Sequence, residues 1–140
     1  METEASGYAL IEYITTKMKE GSNSRLNSIL AQKGYLELED IIQAVKKGDN
    51  LAIEGIAEIG YKLGKGLAVA LNLLNPSAIV IGGVLSEIGE PLLMPVQSSI
   101  FQHSLSIVNT DTIITVSKIN KEAGLLGCCI LVRNKILGLV

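Results

Sequence analysis

The sequence predicts an α/β chain, helix-rich with a small sheet, and three observations carry that prediction. Before Pro76, apolar residues recur mostly at three- and four-residue steps, the period of helices that bury one face. The run Leu74-Asn75-Pro76-Ser77-Ala78-Ile79-Val80-Ile81-Gly82-Gly83-Val84 then reads as a helix end, a tight turn, a buried strand and a glycine pair where the strand stops. A second β-branched run, Thr112 to Val116, follows one further helical stretch. The order is helices first, then β-α-β-α. Two strands cannot bury a domain of this kind alone, so either the helices dominate or strands come from outside this sequence.

Each element has a local reason. Ala5 to Lys19 carries Ala9, Leu10, Tyr13, Ile14 and Met18 at helical spacing, and Gly21-Ser22-Asn23-Ser24 breaks it. Leu26, Ile29 and Leu30 mark a short second helix that Gly34 ends. Glu39 to Lys47 is a third, with Ile41, Ile42 and Val45 inward and Lys46-Lys47-Gly48 as its stop. The acids Glu37, Glu39 and Asp40 at its start suit the helix dipole. Asp49 caps a long fourth helix reaching about Leu74, with Ile53, Ile56, Gly60, Leu63, Leu67, Ala70, Leu71 and Leu74 on one face. Gly60, Gly64 and Gly66 cost it roughly 1 kcal/mol each against alanine. Close approach by a neighbouring element, within this chain or from a second copy, would offset that cost.

Pro76 cannot extend the helix and pushes Asn75 out of the helical region. Ala78 to Ile81 suits a strand covered on both faces. Leu92 to Phe101 is a helix with Pro91 near its first turn, and Glu122 to Leu137 is a closing helix carrying Gly124 and Gly127. In open α/β sheets ligands sit beyond the carboxyl ends of strands, which is where Gly82 and Gly83 fall.

Composition narrows the function classes. The chain of 140 residues fits one domain or one lobe, and 48% hydrophobic content with no tryptophan and one phenylalanine calls for an aliphatic core. A net charge of -2 gives no electrostatic footprint for nucleic acid. No apolar run reaches membrane-spanning length, and Met1-Glu2-Thr3-Glu4 is acidic where a secretory signal is basic. Cys128 and Cys129 are adjacent, which suits neither a disulfide nor a metal site, so a reduced cytoplasmic compartment is expected. Both cysteines are expected to be small buried residues, and Gly124 and Gly127 to allow close helix packing. His103 is read as a surface residue.

Three anchors in order resemble the C-terminal part of the ROK family of bacterial repressors and sugar kinases. Glu2-Thr3-Glu4-Ala5-Ser6-Gly7 resembles its E-x-x-A-S-G element. Leu71 to Pro76 followed by Ile79-Val80-Ile81-Gly82-Gly83 resembles its late helix–strand junction, and Lys121 to Cys128 resembles its last helix. The resemblance covers essentially all of residues 1–140 and implies part of the C-terminal lobe of the actin-like ATPase, or ribonuclease H-like, fold. The chain is therefore expected to be roughly the last third of such a protein, a single-domain fragment. The family's phosphate loop, catalytic aspartate and zinc-binding cysteines lie upstream of the E-x-x-A-S-G element and have no match here. No catalytic residue, metal ligand or cofactor is therefore assigned to this chain; in the parent, zinc would use cysteines and a histidine absent here, and a kinase would use ATP with magnesium.

The resemblance also assigns roles residue by residue. Glu2 matches the glutamate that contacts sugar hydroxyls, for which a carboxylate is suited; the alternative is a solvated acid near a helix start. Gly82 and Gly83 match the adenosine-side glycines of the kinases; in a repressor they serve only as a strand-end turn. The leading expectation is the effector-binding and oligomerisation part of a NagC/XylR-like, sugar-responsive regulator. Its effector would be a sugar or sugar phosphate, and DNA would be contacted only through an absent N-terminal domain. The segments Leu131 to Leu137 and Glu90 to Val96 resemble that branch. The alternatives are part of an ATP-dependent, glucokinase-like sugar kinase, and a ligand-free oligomerisation module. The fragment itself is expected to be catalytically inactive, to be a homo-oligomer and to bind no membrane.

Overall fold

The computed structural model describes residues 5–105, 111–119 and 122–139. Among the described residues, six α-helices and two strands follow the predicted order: α1 (Gly7–Lys19), α2 (Leu26–Lys33), α3 (Leu38–Lys46), α4 (Asn50–Leu74), β1 (Ala78–Ile81), α5 (Glu90–His103), β2 (Ile113–Val116) and α6 (Ala123–Ile136). A 3-10 turn, Val84–Ile88, links β1 to α5.

The punctuation is local chemistry. The Ser6 hydroxyl accepts from the Ala9 amide at 3.2 Å and starts α1. Gly34 adopts a left-handed conformation that ends α2, with its amide bound to the Leu30 carbonyl. Glu37 and Asp40 form a reciprocal capping box on α3. Asn75 ends α4 in the left-handed region at φ 42° and donates its amide to Leu71. Pro76 then forbids continuation.

The core lies among the helices. Leu10 and Ile14 of α1, Ile41 and Ile42 of α3, Ile56 and Leu71 of α4, and Val96 and Ile100 of α5 are essentially inaccessible. The face predicted for α3 is the observed one. On α4 the prediction holds in the middle and fails at the ends, because Ile53 and Leu74 are exposed. Gly60 and Gly64 of α4 are used within the chain. A Cβ on Gly64 would lie 2.5 Å from the Val96 carbonyl oxygen and 2.7 Å from the Ser99 Cβ, and one on Gly60 would lie 2.9 Å from Pro95. α5 therefore packs where α4 has no side chain, and the buried Ser99 hydroxyl donates to the Tyr61 carbonyl at 2.7 Å across the contact.

β1 and β2 pair in parallel, with Ala78 opposite Ile113 and Ile81 opposite Val116. The expectation that β1 is covered on both faces is overturned. Ile79, Ile81, Ile114 and Val116 face the core, whereas Ala78, Val80 and Ile113 are exposed, so the strand alternates as a half-covered sheet does. α6 departs further. None of its residues is buried, Cys128 and Cys129 are exposed, and a Cβ on Gly124 or Gly127 would meet nothing within 4 Å. The expected burial of the cysteines and close packing at those glycines are both corrected: no described element covers the helix. No described helix is long and apolar enough to cross a membrane.

Candidate functional site

The carboxyl edge of the sheet carries the second of the sequence anchors, the glycine pair after β1. The Ser117 amide donates to the Ile81 carbonyl at 2.7 Å, carrying the ladder one step past β1. There the chain turns at Gly82 and Gly83, both exposed. Gly83 sits at φ 89°, ψ 178°, a region essentially closed to residues with a Cβ. Its carbonyl accepts from the Ser86 amide at 3.0 Å and the Ser86 hydroxyl at 2.6 Å, which locks the turn into the 3-10 segment. Gly82 has no such constraint; a Cβ there would meet only Ser117 Cβ, at 4.0 Å. Gly83 is thus required by the backbone, and Gly82 leaves an open approach.

Beside this turn lies a cleft of about 290 Å³ between α4, β1 and the 3-10 segment. Ile59, Leu63, Leu85 and Leu92 line it, together with Gly82 and Ala5. Ala5 of the opening motif and Gly82 of the pair, far apart in sequence, therefore share one cavity. Glu2 itself lies outside the described residues. Among the described residues, no charged side chain lines it. The cleft can accept an uncharged, flat or apolar group, and its described side chains bring no charge to a phosphate. An adenosine face would fit these residues, and the phosphates of a nucleotide would need groups from elsewhere. Among the described residues no cluster of three His, Cys, Asp or Glu side chains can hold a metal ion.

The ionisable groups of the described residues do structural work. Asp49 is 6% exposed. Burial alone would raise its pKa, but the Arg25 and Ala52 amides, the Ser24 hydroxyl and the Leu51 amide outweigh that and hold the carboxyl below its ordinary value. It accepts from the Arg25 amide at 2.8 Å, from Ser24 Oγ at 3.0 Å and from the Ala52 amide at 3.1 Å, tying the start of α2 to the start of α4. Sequence reasoning found the cap and missed the tie, because no short-range pattern marks a contact across 25 residues. Tyr13 is raised by burial and by the neighbouring Glu54 carboxylate, to which it donates at 3.2 Å. His103 is exposed, with Nδ1 2.8 Å from the Ser99 carbonyl and its ring edge-on to Tyr61.

A family model described as the ROK family matches residues 1–135. The chain belongs to the ROK family. It is 31% identical over 137 residues to the N-acetylglucosamine repressor of Escherichia coli O6:H1, covering 98% of this chain and 32% of that protein. It is 30% identical over 135 residues to a glucokinase of Halalkalibacterium halodurans, covering 96% of this chain and 41% of that protein. A ROK family glucokinase from Streptomyces griseus, solved with glucose and AMPPNP, superposes with a TM-score of 0.80 at 27% identity, covering 93% of this chain and 43% of that one. The chain thus spans about a third to two-fifths of the length of these relatives. The neighbours have the actin-like sugar kinase fold, of which the helices and two-stranded sheet described above form a part. Repressors and kinases of the ROK family are similar to this chain to nearly the same degree.

Proposed function

We propose that this chain is the effector-responsive and subunit-assembling part of a ROK transcriptional regulator that responds to a sugar or sugar phosphate. The observation that carries the reading is the 31% identity to a repressor along 98% of the chain. Within the reading, Gly83 is a strand-end turn, and Glu2 reaches sugar hydroxyls near the start of α1. Effector binding shifts the population of the DNA-bound state, with DNA held by a separate domain.

The competing reading is an ATP-dependent sugar kinase. It is favoured by the superposition on a glucokinase solved with glucose and AMPPNP, and in it Gly82 and Gly83 admit the adenosine. One experiment separates the two. The full-length product of the reading frame is titrated calorimetrically with N-acetylglucosamine, glucose and xylose and their phosphates, and assayed for sugar-dependent ATP turnover. A regulator binds at least one of them, with affinity reduced by Glu2→Ala, and turns over no ATP in response. Sugar-dependent ATP turnover overturns the regulator reading.

A further inference from the structure

Gly7, the first residue of α1, has ordinary helical backbone, so no turn calls for a glycine there. A neighbour does. A Cβ on Gly7 would lie 2.9 Å from Leu38 Cδ2 and 3.4 Å from Leu38 Cδ1. The first residue of α3 therefore rests on bare backbone at the first residue of α1. Glycine weakens a helix, and the close approach of Leu38 is what the missing side chain permits.

The turn that carries Leu38 is well fixed. The Glu37 amide donates to Asp40 Oδ2 at 3.1 Å, and Lys33 Nζ reaches Asp40 Oδ1 at 3.1 Å. Ile41, Ile42, Ala44 and Val45 tie the rest of α3 into the core. The buried residues of α1, Leu10 and Ile14, lie further along that helix, which leaves Leu38 to brace its first turn. α3 also packs on the 3-10 segment, Val84–Ile88. Ala5, just before that first turn of α1, and Leu85 of the 3-10 segment both line the cleft beside Gly82. One helix thus stands behind two walls of the cleft that are far apart in sequence.

We infer that Leu38 is a positioning residue for the candidate site. By resting on Gly7 it sets how far the start of α1, with Ala5, stands from Leu85, and with that the size of the group the site admits. The inference deepens the proposed function and rests on its reading that a sugar effector binds at this end of α1. Leu38 is not among the residues lining the cleft, so it acts through the Gly7 backbone. A site held to within about 0.5 Å discriminates by substituent size, and one left loose does not. The signature is therefore a change in selectivity among sugars and not a uniform loss of affinity.

The test titrates the full-length product with N-acetylglucosamine, glucose and xylose and their phosphates, and reads the ratio of affinities between the best and the second-best ligand. Leu38→Ala is expected to lower that ratio about fivefold. Leu38→Met keeps the volume of the side chain and should hold the ratio within about twofold of the parent. Val45→Ala truncates a buried residue at the other end of α3; it should lower the urea midpoint and leave the ratio unchanged. Should Leu38→Ala fail to fold, Gly7→Ala presses on the contact from the other side. The end of the leucine can swing aside, so a change of about twofold is expected, reversed when Leu38→Val is added. A ratio that Leu38→Ala leaves at the parent value overturns the inference alone, as does an equal change in Val45→Ala. A full-length product that binds none of these ligands removes the effector reading, and the inference falls with it.

Discussion

Helices α4 and α6 are built from similar material and meet opposite fates. Both mix aliphatic side chains with glycines three or four residues apart. In α4, Gly60 and Gly64 face α5 so closely that a single added carbon would collide with the Val96 carbonyl. In α6, Gly124 and Gly127 face open space. A small residue in a helix permits close approach without supplying the surface that approaches. For α4 that surface lies a few turns downstream in the same chain; for α6 no described residue provides it.

The difference can be broken or sharpened by mutation, beginning with the largest effect. Ile56→Ala empties a fully buried position between the helices and is expected to cost about 3 kcal/mol in urea unfolding. Leu131→Ala in α6, 66% exposed, is expected to change stability by no more than about 0.5 kcal/mol. Equal costs would mean that the two regions are packed alike. Next come the glycines, where the signs should oppose. Gly64→Ala gains helix propensity but forces α4 and α5 apart, for a net loss of about 2 kcal/mol. Gly127→Ala meets nothing and should gain up to about 1 kcal/mol. A stabilised Gly64→Ala would show that the contact yields easily.

The smallest effect concerns the tie at the head of α4. The folded-state pKa of Asp49 lies below its unfolded value, so the carboxylate's contribution is fully present above the unfolded value near pH 4. It is lost as pH falls through the folded value. Asp49→Asn keeps an N-cap oxygen while removing the charge. It is expected to cost about 1 kcal/mol at neutral pH and to flatten the stability profile below pH of about 4. An unchanged acid limb would assign that pH dependence to other carboxylates.

Much of the helical half was legible in the sequence, because its signals act over a few residues. Asp49, Gly34, Asn75 and Pro76 each fix a boundary by their own backbone chemistry, and the strands Ala78–Ile81 and Ile113–Val116 fall where β-branched runs predict them. The open sheet face and bare α6 were not legible. Apolar character predicts that Val80 or Cys129 belongs inside something, but does not say whether that something is part of the same described chain. The candidate site divides the same way. The Gly82–Gly83 turn was visible as a dipeptide, whereas its shared cleft with Ala5 is a product of the fold, and Glu2 lies outside the described residues.

Hydrogen exchange most directly tests the claim that α4 and α5 hold each other within this chain while α6 depends on a surface outside the described residues. The parent and Val132→Glu are compared at one concentration by mass spectrometry, following peptides within 50–74, 90–103 and 123–136. Slow exchange is expected for the first two in both proteins, with 123–136 slow in the parent and exchanging within seconds in the variant. Equal protection of 123–136 in both proteins would contradict the claim, because α6 would then hold its structure without an apolar cover over Val132.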